Sequence, residues 1–483
     1  MDRRSREVRL RELPSPACSA AAVEISAGRP EEALVRLEQG RGVLLAQALR
    51  LRGRHPELDA AAPELAGRFE RVCAELIEER GTAPQRAALN AEFASLLTEI
   101  RRLEGFERFH RPLDWERLRT VAAHGPVVVL NIAELRCDAL LLRADADGGT
   151  GVDVLPLAGI TRTEVGRRSA GFHAAVAALS SAAGLAEADT HQRTMDDTLE
   201  WLWEHIAGPV LTRLGLDRPV GAEGGEWPRL WWCPTGPLAL LPLHAARCPS
   251  DGSHVQDRVV SSYTPTLGAL LHARDRAAPS GRPPALVAVG VPAPPPGADG
   301  AALPPLPAVY DELAAVAGLA VGQSRLLGAD ATPEAVLAAL RDAPCAHLAC
   351  HGSYDPEDPS AGGLLLHGGE LTVHDLTTER LDQAEFAYLS ACHTAAPGTA
   401  LVDEVITLAS AFQLCGYRHV IGSLWTLKDA ITPALARDTY GALGAARSTA
   451  GSAHALHRAV QRLRTERRYA GPLFWASMIH IGP

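Results

Sequence analysis

The stretch "AYLSACHTA", residues 387–395, is a short apolar run that stops at Cys392 and His393 before a loop of small residues. Together with Ala384-Glu385-Phe386 before it, the run predicts a strand over 384–392 that is buried on both faces, because apolar residues occupy consecutive positions rather than alternating ones. A cysteine inside such a strand is ordinarily a small hydrophobe. A cysteine at the strand's end, beside a loop, is placed to react.

A second run, "AHLACHG" (346–352), ends in the same way at His351-Gly352. Around these two lie expected strands at 285–291 and 419–425 and expected helices at 308–318, 333–342 and 403–415. Continuous apolar strands alternating with helices predict a mostly parallel sheet covered by helices, in which reactive groups belong at the carboxyl ends of strands. A thiol and an imidazole at one sheet edge are the parts of a cysteine nucleophile system. The thiolate attacks, and the imidazole carries the proton to the leaving group. Glycine after His351 lets the backbone approach a substrate, and the N–H groups of Gly352 and Cys392 are candidates for an oxyanion hole. Zinc is the rival reading, since Cys345, His347, Cys350, His351, Cys392 and His393 crowd two short stretches. The His-x3-His spacing suits a helix rather than a strand and no Cys-x2-Cys pair accompanies it, so no metal or other cofactor is expected.

The whole chain, 483 residues, is too long for one ordinary core. Its 47 basic and 57 acidic residues leave a net charge of −10, which argues against a nucleic-acid-binding surface. Lys428 is the single lysine and alanine is abundant, a bias that suggests a high-GC bacterial genome. Nine scattered cysteines (18, 73, 137, 233, 248, 345, 350, 392 and 415) with no Cys-x2-Cys pair read as reduced thiols. The opening "MDRRSREVRLREL" lacks the apolar core of a secretory signal, and no long uninterrupted apolar run occurs anywhere, so a cytoplasmic protein with no membrane contact is expected.

Residues 17–120 carry apolar residues at helical spacing, as in "EEALVRLEQGRGVLLAQALRLR" (31–52) and "RFERVCAELIEER" (68–80), and predict four or five helices that dock partners. The eleven arginines among residues 1–54 read as solvated helix faces. From Gly125 the pattern turns to strands, "GPVVVLNI" (125–132) and "DALLLRA" (138–144). A helix is expected over 196–216. Two strands around a Pro-Thr-Gly-Pro turn are expected over 227–246, with the three tryptophans of that stretch in core packing. "GVPAPPPGADGAALPPLP" (290–307) reads as a stiff loop leaving a strand.

The combination of "HLACHGSYD" (347–355), "LSACHTA" (389–395), "DEVITLASAFQLCGYRHVIGSLWTLKD" (403–429) and "PLFWASMIHIGP" (472–483) resembles the CHAT family of caspase-like cysteine peptidases. "VVVLNIAELRCDALLL" and "LWWCPTGPLALLPLHAA" look like the degenerate first half of that family, and "AGRPEEALVRLEQGRGVLLAQALRLR" (27–52) looks like a single tetratricopeptide-type repeat. The resemblance implies a caspase/hemoglobinase-like α/β fold in three parts: helical and tetratricopeptide-like over 1–124, a degenerate caspase-like half over 125–280, and an active half over 281–483. It implies His351 and Cys392 as the catalytic dyad, with Gly352 in the oxyanion role. The expected function is a cytosolic endopeptidase acting on a protein substrate through a thioester, switched on by a partner or signal at the N-terminal helices. Bacterial antiviral defence or programmed death is the implied setting, and an inactive scaffold is the alternative. In a caspase-like fold, aspartate before the cut needs a buried arginine. Between His351 and Gly422 only Arg380 and Arg418 occur, neither after a catalytic strand end, whereas Asp355, Glu357, Asp358, Asp403 and Glu404 do follow them. Asp403, Glu404 and Trp425 are therefore candidate walls of a pocket that rejects aspartate and accepts a basic or long unbranched side chain.

Overall fold

The computed structural model describes residues 15–483 apart from 53–54, 79–81, 145–148, 182–184, 221–225, 277–284, 295–302, 318–322, 356–357, 359, 399–401, 405 and 447. The readings made on the charged opening, the 277–284 break, the middle of the proline-rich loop and Glu357 fall outside the described residues. Fourteen strands are described: β1 (Val127–Ile132), β2 (Cys137–Ala144), β3 (Thr150–Pro156), β4 (Arg229–Pro234), β5 (Val260–Tyr263), β6 (Leu286–Gly290), β7 (Gln323–Leu327), β8 (Cys345–Ala349), β9 (His351–Ser353), β10 (Gly363–Leu366), β11 (Gly369–Thr372), β12 (Phe386–Ser390), β13 (His419–Ser423) and β14 (Met478–Ile481).

Eleven of them form one sheet in the order β3-β2-β1-β4-β5-β14-β13-β12-β8-β6-β7. The central strands β4, β8, β12 and β13 are almost wholly buried, as their continuous apolar runs require when helices cover both faces. The C-terminal strand β14 lies between β5 and β13 in the sheet. It runs antiparallel to β13, with Val420 opposite Ile481, and parallel to β5, where Ile481 pairs with Tyr263. Alternate residues of β4 point into different layers: Trp232 joins the large core shared with Phe172, Phe386, Trp425 and Trp475, whereas Trp231 and Cys233 join a second core on the opposite face.

That second core contains the start of the chain. Helices Pro16–Ser26 and Pro30–Gly40 bury Ala17, Cys18, Ala21, Leu34 and Leu37 against Val127, Val129, Leu140 and Leu270. Each fully buried leucine contributes about 1.5–3 kcal/mol relative to exposure, so these two helices are part of the sheet's covering layer. Helices Pro56–Ala61, Pro63–Glu78 and Ala83–Ile100 instead build a core of their own from Leu58, Phe69, Val72, Leu96 and Ile100.

Local expectations differ from the structure in several places, and the four or five helices expected over 17–120 are six described helices between Pro16 and Ile100 with a short one at Trp115–Leu118. The second strand expected within 227–246 is replaced by 3-10 turns at Gly236–Leu240 and Leu243–Ala245, since Pro237 and Pro242 have no N–H to donate to a central ladder. The helix expected over 196–216 is interrupted by a π turn at Trp203–Ala207, where Pro209 removes an amide and Gly208 packs so tightly that an added Cβ would lie 2.8 Å from the Trp203 carbonyl oxygen. The helix expected from 403 begins at Leu408, behind a Thr407 cap whose hydroxyl accepts the Ser410 amide at 3.0 Å.

Candidate active site

The parallel pairing of β8 with β12 runs from Cys345 opposite Phe386 to Ala349 opposite Ser390. His351 and Cys392 each stand two residues beyond that last pair, at the same level of the sheet's carboxyl edge. The chain just after His351 lies against the backbone of Cys392. A Cβ on Gly352 would sit 2.3 Å from the carbonyl oxygen of Cys392 and 3.4 Å from its nitrogen, a separation that only glycine permits. Among the nine cysteines Cys392 is the one that is partly exposed; the others are buried.

His351 opens β9, which leaves the main sheet and pairs antiparallel with β10, His351 opposite Leu365 and Gly352 opposite Leu364. Its Nε2 lies 2.8 Å from the carbonyl oxygen of Pro304. A carbonyl only accepts, so Nε2 carries the hydrogen and Nδ1 is the basic nitrogen of the neutral ring.

Burial raises the Cys392 thiol pKa above the usual thiol range, and the Leu427 amide and Thr426 hydroxyl oppose that by hydrogen bonding. The thiol is therefore neutral at rest. Beyond it the chain turns sharply: His393 has φ 56°, a left-handed conformation uncommon for a non-glycine residue. Its ring stacks on Tyr354 at 5.2 Å and 13°, its Nε2 lies 3.2 Å from Thr426 Oγ1, and the Tyr354 hydroxyl donates to the Pro397 carbonyl at 2.9 Å. Burial, and secondarily His173, hold His393 neutral with a pKa of about 4. The turn is pinned to β13 as well. Thr394 Oγ1 accepts the Ser423 amide at 2.8 Å, and the Ala395 amide donates to the Ser423 carbonyl at 2.8 Å.

A CHAT-domain family model matches residues 196–483. The chain belongs to the CHAT-domain family. This CHAT protein is similar in structure to separase of Saccharomyces cerevisiae, as seen in its complex with securin, with a TM-score of 0.53, 11% identity, and coverage of 96% of this chain but 37% of the separase chain. The pro- and mature domains of RgpB from Porphyromonas gingivalis match 60% of this chain and 68% of theirs at 12% identity, with a TM-score of 0.39. No curated protein matches the chain in sequence. The CHAT protein thus has the fold of the caspase-like cysteine peptidases, and in this chain His351 and Cys392 stand at neighbouring strand ends.

The remaining residues singled out from the sequence have definite places in the CHAT protein. Trp425 is buried, packs edge-on against Phe172 at 5.6 Å, and donates from Nε1 to the Leu473 carbonyl at 3.2 Å. Glu404 is buried. Asp403 faces the start of the chain and the Gly236 turn: its carboxylate accepts from Ser15 Oγ and from the Gly236 amide at 3.0 Å, and lies 3.4 Å from Arg41 Nε. Arg418 sits at the amino end of β13, donating to the Ala273 carbonyl at 3.1 Å, and Arg380 pairs with Asp382 at 3.2 Å. His347 is buried in the interior, 3.2 Å from Glu312 and 3.2 Å from the Tyr440 hydroxyl, and among the described residues no three His, Cys, Asp or Glu side chains converge as metal ligands do. Sequence reasoning did not find the Pro304 carbonyl, Thr426, Tyr354 or Arg41. Of these, Thr426 inside "SLWTLKD" and Tyr354 inside "HLACHGSYD" lie in motifs already singled out.

Proposed function

We propose that the protein is a cysteine endopeptidase with Cys392 as nucleophile and His351 as its proton carrier. The observation that carries this reading is the register of β8 and β12, which brings both residues to one level, together with a Gly352 backbone lying directly on that of Cys392. The Pro304 carbonyl supplies the third part of such a system, a group that orients the base and selects its tautomer.

In the proposed reaction His351 takes the proton of the Cys392 thiol as sulfur attacks the scissile carbonyl. The oxyanion that forms is met by the amides of Gly352 and Cys392. The amine leaves with the proton from His351, and water, deprotonated by the same imidazole, hydrolyses the thioester to free the acid and restore the thiol. General acid–base transfer of this kind contributes roughly 10²–10⁴ in rate. Because the resting thiol is neutral, deprotonation belongs to the substrate complex rather than to the free enzyme.

The substrate is a protein, and a cut after aspartate is disfavoured because neither Arg380 nor Arg418 stands at the carboxyl edge. The preference rests on the missing arginine rather than on Asp403, whose carboxylate lies 3.4 Å from Arg41 Nε. The test is turnover of a peptide library by the wild type, Cys392→Ala and His351→Ala. The reading expects cleavage by the wild type alone. Cleavage that survives in Cys392→Ala sinks it, and no cleavage by any form, with the activating partner present, assigns the scaffold role.

A further inference from the structure

The amino ends of β1 and β4 meet at one indole ring. Arg229 opens β4, and Arg274 lies in the last turn of helix Leu267–Asp275; their guanidinium carbons stand 4.3 Å and 4.7 Å from the ring centre of buried Trp231. Gly125, which precedes β1 with φ +134°, packs so closely that an added Cβ would lie 3.0 Å from Trp231 Cζ3 and 3.3 Å from the Arg229 carbonyl oxygen. That contact sets the preceding residue, the exposed His124, beside both arginines, whose charges add to burial in lowering its pKa.

Among the described side chains neither guanidinium has a counter-charge. Arg229 Nη2 donates to Ser262 Oγ at 2.7 Å and to the Pro483 carbonyl at 3.2 Å, and Arg274 Nη1 donates to the Val121 carbonyl. The Nε of both, and Nη2 of Arg274, are buried without a hydrogen-bond partner among the described residues. No aspartate or glutamate acts on either: burial and then Arg274 lower Arg229 to about 10, and burial alone lowers Arg274 to about 10. Elsewhere this chain meets its buried arginines with acids, Arg41 with Asp403 at 3.4 Å and Arg464 with Asp257 at 2.6 Å. The indole attracts the two cations but has no lone pair to accept their N–H groups. Two like charges drawn out of water without a partner are costly, and an anion at the part-exposed ends of these side chains removes that cost.

We propose that Arg229, Arg274 and His124 form a binding site for a phosphoryl oxyanion, inorganic phosphate or a phosphate monoester. Two guanidinium forks and an imidazole offer donors from three side chains, which a phosphoryl group with three or more acceptor oxygens satisfies and a carboxylate with two does not. The site goes beyond the peptidase reading and uses none of its residues. Its anion also bears on the sheet: Arg229 leads through Ser262 Oγ to His480 Nδ1 at 2.8 Å, and His480 Nε2 lies 3.1 Å from His419 Nδ1, a chain across β4, β5, β14 and β13. Occupancy therefore stabilises the folded chain.

The test titrates the full chain with sodium phosphate at constant ionic strength, followed by calorimetry and by the unfolding temperature. Wild type is compared with Arg229→Gln, Arg274→Gln and His124→Ala. Arg462→Gln is the control, an exposed arginine of helix Ser452–Thr465 that lies 3.8 Å from Asp438. The wild type is expected to take up one phosphate and to melt higher as phosphate rises, as a ligand bound by the folded state alone requires. Each arginine variant weakens binding by at least about tenfold, a modest toll for removing one arm of a partly desolvated charged contact. His124→Ala weakens it less, and Arg462→Gln binds as the wild type does. If Arg229→Gln does not fold, Arg274→Gln and the exposed His124 decide the matter. Phosphoserine separates the two sources of the group: binding of both ligands assigns an ester site, and binding of inorganic phosphate alone assigns a free-ion site, either of which supports the proposal. Acetate bound as tightly as phosphate overturns the phosphoryl assignment. No saturable binding by the wild type, or wild-type affinity in folded Arg274→Gln, overturns the site itself.

Discussion

The Nε2 of His351 lies 2.8 Å from the carbonyl oxygen of Pro304, which fixes the imidazole tautomer from a loop outside the sheet. The ring therefore offers Nδ1 as its base without needing a carboxylate behind it. Replacing His351 by alanine is expected to lower peptide turnover by roughly 10²–10⁴, the usual worth of general acid–base transfer. Alkylation of Cys392 by a small electrophile changes much less, because burial rather than His351 sets the resting state of that thiol. Steady-state kinetics beside alkylation rates check this, and equal losses in both would contradict it.

Gly352→Ala tests the backbone contact. The new Cβ would lie 2.3 Å from the Cys392 carbonyl oxygen, which is backbone and unable to swing aside. Overpacking of this kind costs about 1–3 kcal/mol, and here it also separates the two strand ends. Thermal unfolding should shift down and turnover should be lost together. A variant with wild-type turnover would show that the two backbones are not held as described.

The sequence made the strands legible and left the contacts around them hidden. Phe386–Ser390 and Cys345–Ala349 were readable because both are continuous apolar runs ended by polar residues, and a covered parallel sheet places such ends side by side. Pro304 was not readable. Its contribution is a carbonyl, which every residue has, and it lies 47 positions from its partner. The surroundings of Asp403 were hidden for a related reason: an acid just beyond a nucleophile suggests a pocket, and only the fold reveals a buried arginine from the start of the chain 3.4 Å from its carboxylate. Arg41 itself was hidden among eleven arginines read as solvated helix faces. The 227–246 region failed because apolar composition outweighed the two prolines that forbid a second ladder.

Several buried histidines set the acid limit of stability. Burial holds His393 and His272 at about 4, and His244, His419 and His457 at about 3. Each binds its proton more weakly folded than unfolded, so the unfolded state gains protons first and stability rises with pH across that window. Unfolding temperature is expected to be flat above about pH 6.5, the unperturbed histidine value, and to fall as pH drops from there toward 4. A melting temperature that rose on acidification through this range would contradict the burial of these rings.

Glu312 and His347 form a buried pair at 3.2 Å, both essentially without solvent exposure, between helix Ala308–Val316 and β8. Glu312→Ala removes the carboxylate beside the imidazole, which keeps the Tyr440 hydroxyl at 3.2 Å. Losing a buried polar partner costs about 1–3 kcal/mol. Denaturant unfolding should show the loss. Since helix Ala308–Val316 follows the Pro304 segment, turnover should fall even in the fraction that remains folded. Unchanged stability would show that the two side chains do not support one another.

On matched peptides differing only in the residue before the cut, aspartate should be the poorest and arginine, lysine or methionine among the best. Arg418 and Arg380 stand away from the carboxyl edge, so an aspartate would enter a desolvated pocket without a partner. Ranking by kcat/KM checks this directly. Preferential cleavage after aspartate would refute it.

The central claim, that Cys392 cuts protein chains, is tested most directly by mapping newly formed protein N-termini in cells that express the wild type and in cells that express Cys392→Ala at equal level. The account predicts a set of new termini sharing a residue pattern before the cut, present with the wild type and absent with the alanine variant. The same termini in both would contradict it.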